Sequence, residues 1–141
     1  MWFTKGFPER KVAARNINVF KFVLKDMKSP QQLFQYELGK TYTTKNAIKP
    51  EKGMIHEAIH TYMIGKVTIV KPSINGMFVL CGDKVLNEIT YAPYFKVLVG
   101  EIPAGAEYFV NEKGEVASNM LRTIYAFDAE TMAYPDSLIK K

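Results

Sequence analysis

The chain has a single cysteine, Cys81, so an intrachain disulfide is excluded and packing must hold the fold. It has two histidines, His56 and His60, which leaves few candidates for a metal centre. No Cys-x-x-Cys pair, no Gly-rich phosphate loop and no Gly-x-Ser-x-Gly elbow occurs, which removes the local signatures of zinc ribbons, P-loop enzymes and α/β-hydrolases. No apolar run approaches the ~20 residues that cross a bilayer as a helix. The opening MWFTKGFPERK lacks the apolar stretch of a secretion signal. These absences predict a protein that does not engage a membrane and works in a reducing compartment.

What is present is core material for one domain. The 141 residues are 48% hydrophobic and include nine Phe and eight Tyr. Charge is uneven: residues 1–53 hold eleven Lys/Arg and four Asp/Glu, a net +7, whereas residues 54–141 hold eight and ten, a net −2. A basic front end suits an acidic partner, a polyanion or an anionic ligand. Residues 1–16 form a basic aromatic arm, in which Trp2, Phe3 and Phe7 alternate loosely with Lys5, Arg10, Lys11 and Arg15. Those seven residues are the expected contact element for a protein partner or for self-association, because a free tail gains nothing from exposed rings.

Residues 17–127 read as a single β-rich α+β domain, and residues 128–141 as a polar tail or a short docked segment. INVFKFVLK, from Ile17, has the β-branched and aromatic content of a strand. Beyond Gly65, KVTIV, MFVLC, VLNEITY, YFKVLVGEI, EYFV and LRTIYAF alternate with Gly, Pro, Asn and Asp turns too short for helical crossovers. The expected architecture is a mostly antiparallel sheet or partly open barrel with one main helix, about residues 50–64. Lys49-Pro50-Glu51-Lys52 would open that helix and Gly65 would cap it.

The helix matters because His56-Glu57-Ala58-Ile59-His60 has the His-Glu-x-x-His spacing of zinc peptidases. On a helix, residues four apart share a face, so His56 and His60 would both reach one zinc and Glu57 would serve as general base. The same helix is simply amphipathic: Met54, Ile55, Ala58, Ile59, Tyr62 and Met63 fall on one half, and His56, Glu57, His60 and Thr61 on the other. A catalytic zinc also needs a third ligand, for which Glu88 is the best candidate and Cys81 another. The metzincin continuation fails at Met63 and Lys66. The expectation is therefore no cofactor, with zinc as the alternative.

Tyr36, Tyr42, Phe20 and Phe22, with Lys21, Lys25 and Lys40, supply the residue types of an aromatic-basic surface for nucleotides or single strands. Strict alternation sends Phe20, Phe22 and Leu24 to one face and Lys21, Val23 and Lys25 to the other, which favours the aromatics as core.

Two stretches carry a resemblance. VFKFVLKDMKSPQQLFQYELGKTYTT, residues 19–44, and IPAGAEYFVNEKGEVASNMLRTI, residues 102–124, resemble small uncharacterised proteins of phages and mobile elements of gut bacteria. The first holds a strand, a Ser-Pro turn and Phe34-Gln35-Tyr36-Glu37-Leu38-Gly39-Lys40-Thr41-Tyr42. The resemblance implies location in a bacterial cytoplasm or a virion, and no particular chemistry. The leading expectation is a non-enzymatic binding or assembly protein, an accessory virion component or a factor that binds a host molecule. A zinc-dependent hydrolase using the HEAIH motif is the alternative. A module that sequesters an anionic nucleotide or nucleic acid is the third.

Overall fold

Short β-branched and aromatic runs separated by tight turns produce antiparallel strands, and every strand pair among the described residues is antiparallel. The computed structural model describes residues 10–30, 34–44, 50–51, 54–55, 58–70, 76–131 and 133–140. Its strands are β1 (Lys11–Val12), β2 (Ile17–Leu24), β3 (Thr41–Thr43), β4 (Pro50–Glu51), β5 (Met54–Ile55), β6 (Ile59–Met63), β7 (Val67–Val70), β8 (Met77–Cys81), β9 (Lys84–Ile89), β10 (Phe95–Ile102), β11 (Glu107–Val110), β12 (Glu115–Ser118) and β13 (Met120–Asp128). An eight-stranded sheet runs β1-β11-β12-β6-β2-β10-β13-β3, a three-stranded sheet runs β7-β8-β9, and β4 pairs with β5.

The expected main helix over residues 50–64 is absent. Among the described residues the only helical segments are single 3-10 turns at Ala92–Tyr94 and Asp136–Leu138. Residues 59–63 instead form β6, held by β12 on one side and by β2 on the other. Ile59-His60-Thr61-Tyr62-Met63 is short enough to satisfy both a helical period and a period of two, and its Ile, Thr and Tyr favour the strand. Partners on both sides decide the matter. Gly65, read as a helix cap, has the expected left-handed backbone (φ +98°), but it serves the turn from β6 into β7. The fold is thus almost entirely β, and the α+β assignment is corrected.

The large sheet coils. Ser118 and Met120 are two residues apart and so at most ~7 Å apart. Yet they end β12 and begin β13, which have β6, β2 and β10 between them in the sheet. Four strand spacings on a flat sheet would be ~19 Å. Asn119 makes the closure: its N–H donates to the Glu107 carbonyl at 3.1 Å, its side-chain oxygen accepts from Glu107 N–H at 2.9 Å, and its carbonyl accepts from Thr44 N–H at 3.0 Å. One residue therefore ties the β11 side of the sheet to the end of β3.

Coiling gives the sheet two covered faces. The concave face holds Val19, Val23, Leu98, Ile102, Val116 and Leu121, together with Ala13 and Tyr36. The β7-β8-β9 sheet covers the other face, packing Val67, Ile69, Met77, Val79 and Ile89 against Phe20, Phe22, Val97 and Val99. Residues 128–131 and 133–140 dock there: Ala129 and Leu138 are fully buried, Ile139 bridges Ile69, and Lys140 pairs with Asp83 at 2.6 Å. At the other end, β1 extends the sheet edge beside β11, and Ala13 is buried.

Gly100 sits where the β10–β13 register shifts, between Val99 and Gly100. A Cβ there would lie 2.5 Å from the Arg122 carbonyl oxygen and 3.1 Å from Leu121 Cδ1. The nearest obstacle is backbone, which yields little. Gly100→Ala is expected to cost about 2–3 kcal/mol in a denaturant melt, as overpacking does. A cost under about 0.5 kcal/mol would show that the bulge relaxes freely.

Candidate ligand-binding site

The pairing of β2 with β6 stops early. Val19 faces Met63 and Phe20 faces Tyr62, and the ladder goes no further toward Lys21. Past that point β2 stays with β10 and β6 stays with β12. The two strands part, and a cavity of about 410 Å³ occupies the split. Because it opens between strands, it takes side chains from both faces of the sheet. Lys21, Tyr36, Tyr42 and Ile59 come from the concave side, and Phe22, His60 and Tyr62 from the side covered by β7-β8-β9. Asn87 and Ile89 of β9 and Phe95 complete that wall.

The stretch from Met27 to Tyr42 builds the aromatic side. Ser29 N–H donates to the Phe34 carbonyl at 2.9 Å, Phe34 N–H donates to Ser29 Oγ at 3.0 Å, and Tyr36 N–H donates to the Met27 carbonyl at 2.9 Å. Gly39, at φ +77°, turns the chain back, and the Thr123 hydroxyl holds the turn by donating to the Glu37 carbonyl at 2.6 Å. Glu37 N–H donates to the Tyr42 hydroxyl at 2.7 Å, which fixes the spacing of Tyr36 and Tyr42. The outcome is a cluster of three rings. Phe34, Tyr36 and Tyr42 meet edge-to-face with centroids 4.9, 5.4 and 5.1 Å apart.

Lys21 supplies the charge. Its Nζ lies 3.3 Å from the Tyr36 hydroxyl and 4.9 Å from the centre of the Tyr36 ring. No described carboxylate pairs with it, although Lys25, Lys28, Lys40, Lys96 and Lys140 all have one. Burial pushes the Lys21 ammonium down to about 8. Burial, with help from the Lys21 charge, pushes the His60 imidazole down to about 4, so it is neutral at pH 7. Burial raises Tyr36 to about 12, and burial together with the nearby Glu115 charge raises Tyr62. The Thr44 Oγ1 on the lining is buried and has no hydrogen-bond partner among the described residues. The described lining contains no carboxylate and one cation.

His60 ties stability to pH. Its folded value lies below the unfolded one, so the stabilisation is complete above about pH 6.5 and is lost as pH falls toward about 4. Stability is expected to drop by about 2–3 kcal/mol across that window from this residue. A His60→Gln variant should lose that part of the pH dependence in urea melts. An unchanged profile would show that His60 is not the titrating group.

The residues expected from sequence are scattered. His56 and Glu57 lie outside the described residues, as do Trp2, Phe3, Lys5 and Phe7. His60 lines the cavity on a strand, so the shared helical face that would have paired it with His56 does not exist. Glu88 is exposed on β9 and alternates with Asn87 and Ile89, the two β9 residues that line the cavity. Cys81 on β8 approaches the Glu112 carbonyl at 3.8 Å. Among the described residues no three metal-ligating side chains come together. Arg10 pairs with Glu107 at 3.4 Å, Lys11 lies in edge strand β1, and Arg15 is exposed.

The aromatic-basic set divides. Lys21, Phe22, Tyr36 and Tyr42 meet at the cavity. Phe20 is core, Lys25 pairs with Asp128 and Glu130, and Lys40 pairs with Glu37. Sequence reasoning missed Phe34, Thr44, Tyr62 and Asn87 as lining. Phe34 carried a signal, because it opens the segment that ends at Tyr42. No helix among the described residues is long and apolar enough to cross a membrane. No protein-family model matches the chain, and neither the curated proteins nor the solved structures provide a match.

Proposed function

We propose that the protein is a non-enzymatic binding module that holds a small ligand in the cavity between β2 and β6, with an acceptor-rich or anionic group on Lys21. The observation that carries this reading is Lys21 itself. A lysine partly removed from water costs free energy unless an anion or a set of acceptors compensates, and here no described carboxylate does so. The surroundings point the same way. Tyr36 and Thr44 bring hydroxyl groups, Asn87 brings an amide, and Phe34, Tyr36 and Tyr42 form a wall for an apolar or planar body. A volume of about 410 Å³ lies in the range of small-molecule sites.

Binding suits these groups better than catalysis. No described lining residue offers a carboxylate base, and His60 is pushed to about 4, below the range useful to a general base at neutral pH. The zinc-hydrolase alternative rested on two histidines sharing a helical face, and β6 removes that basis. The wider role, an accessory factor of a phage or mobile element that sequesters a host molecule, draws on the resemblance of residues 19–44 and 102–124. The Phe34-to-Tyr42 motif of that resemblance contains the three rings of the cavity wall.

The test is ligand-observed NMR against a library of small carboxylates, phosphates and neutral aromatics, read in parallel on the wild type and Lys21→Met. Mutually competitive hits that vanish in the variant are expected. A library with no hit sensitive to Lys21 would sink the reading.

A further inference from the structure

The number of charges in the cavity limits what it can hold. Lys21 is the one cation among the described lining residues, and no described carboxylate lines the cavity. Around pH 7, burial keeps His60 unprotonated and keeps the Tyr36 and Tyr62 hydroxyls protonated. The described lining therefore carries at most one positive charge, on Lys21. An anion that leaves water for such a site is stable only when its charge is matched there. A carboxylate, with one charge, matches. A phosphate monoester carries a charge near −2 at pH 7 because its second pKa is ≈ 6, and would bring an unmatched charge into the cavity.

Placement of the rings narrows the body of the ligand. Lys21 Nζ stands 4.9 Å from the Tyr36 ring centre, so the cationic head and the aromatic wall are immediate neighbours. Tyr36 in turn meets Phe34 and Tyr42 edge-to-face. A group bound to Lys21 thus has flat apolar surface within one ring's reach, and a ligand needs no long flexible spacer between charge and body to touch both. Thr44 Oγ1, buried on the same lining and without a hydrogen-bond partner among the described residues, offers a donor to a ligand acceptor. A carboxylate has two oxygens, enough to take the Lys21 ammonium and a neutral hydroxyl together.

We infer that the cavity takes a planar aromatic monocarboxylate, with its carboxylate on Lys21 and its ring against Phe34, Tyr36 and Tyr42. This rests on the binding reading above and names the ligand class for it. It also separates the site from nucleotide sequestration, since a nucleotide brings its ring together with a phosphate.

The experiment is titration calorimetry at pH 7 with three probes of the same size: 4-hydroxybenzoate, its neutral amide, and phenyl phosphate. The carboxylate is expected to bind at least about tenfold more tightly than either of the others, which corresponds to about 1.4 kcal/mol. Lys21→Met, shown to be folded by its near-UV dichroism, should reduce carboxylate binding to the level of the amide. Tyr36→Phe keeps the ring and should weaken the carboxylate by a smaller factor. Phenyl phosphate binding as tightly as the carboxylate through Lys21 would overturn the monoanion inference and leave the binding reading standing. Equal affinity for the amide would overturn the requirement for charge. If none of the probes binds but the library yields Lys21-dependent ligands of another class, the inference fails alone. If neither gives a Lys21-dependent ligand, both fail.

Discussion

Replacing Lys21 by Met is expected to make the free protein more stable and to abolish anion binding. The folded chain holds the ammonium well below its ordinary value, at about 8, so the charged form is disfavoured by about 3 kcal/mol relative to the unfolded chain. Met keeps most of the stem volume and removes the charge. Against this gain stand the lost contact with the Tyr36 hydroxyl at 3.3 Å and the lost position over its ring, together about 1–2 kcal/mol. The net expectation is a gain of roughly 1–3 kcal/mol in a denaturant melt at pH 7. The gain should shrink as pH rises. A base depressed on folding costs its full penalty below about 8 and none above its unfolded value of 10.5, so wild type and variant converge between those limits. A variant less stable than the wild type at pH 7 would make the amine a structural element.

Truncation of Phe20 to Ala should have the largest effect on folding, a loss of about 3–5 kcal/mol. Phe20 is fully buried on the face covered by β7-β8-β9, with its ring 5.4 Å from Tyr62 and 6.0 Å from Phe22. It is also the last β2 residue that pairs with β6 before the strands part. Its removal leaves a void beside two residues that line the cavity, so ligand affinity should fall along with stability. Paired melts with and without a bound carboxylate would measure both effects. A cost below about 1 kcal/mol would mean that the two sheets collapse onto the void, contrary to the packing described here.

Much of the β structure was legible. Val, Ile, Phe and Tyr runs bounded by Gly, Pro, Asn and Asp correspond to β2, to β7 through β11 and to β13, and the short turns between them produce antiparallel pairs. The exception is β12, Glu115–Ser118, which has no such run and does not read as a strand. The segment about residues 50–64 was not legible. Ile59 to Met63 fits both periods, and its partners in β12 and β2 lie about 55 and 40 residues away in the chain. The HEAIH spacing has chemical meaning only on a helix, so its significance disappeared with the helix.

The site was half legible, for a related reason. Alternation along β2 correctly sent Lys21 and Phe20 to opposite faces, but reading only the aromatic face as core assumed a sheet covered on one side. Coiling covers both sides. The coil closes at Asn119, which links strands four places apart, and the strand order cannot be read from the local sequence. Tyr36 and Tyr42 were visible as aromatics near basic residues. The split between β2 and β6 that exposes them to a cavity is a property of where pairing stops.

The central claim is that Lys21 is an amine withdrawn from water in a cavity that awaits an anion. The most direct measurement is the titration of Lys21 itself, followed through its side-chain carbon next to Nζ by NMR in selectively labelled protein. Tyr36 and His60, which face it, do not titrate between pH 6 and 10 and leave the curve to the amine. The midpoint is expected near 8 in the free protein, and it should move up when a carboxylate ligand saturates the site, because the bound anion favours the charged form. A midpoint at the ordinary lysine value of 10.5 in the free protein, unmoved by any ligand, would contradict the account.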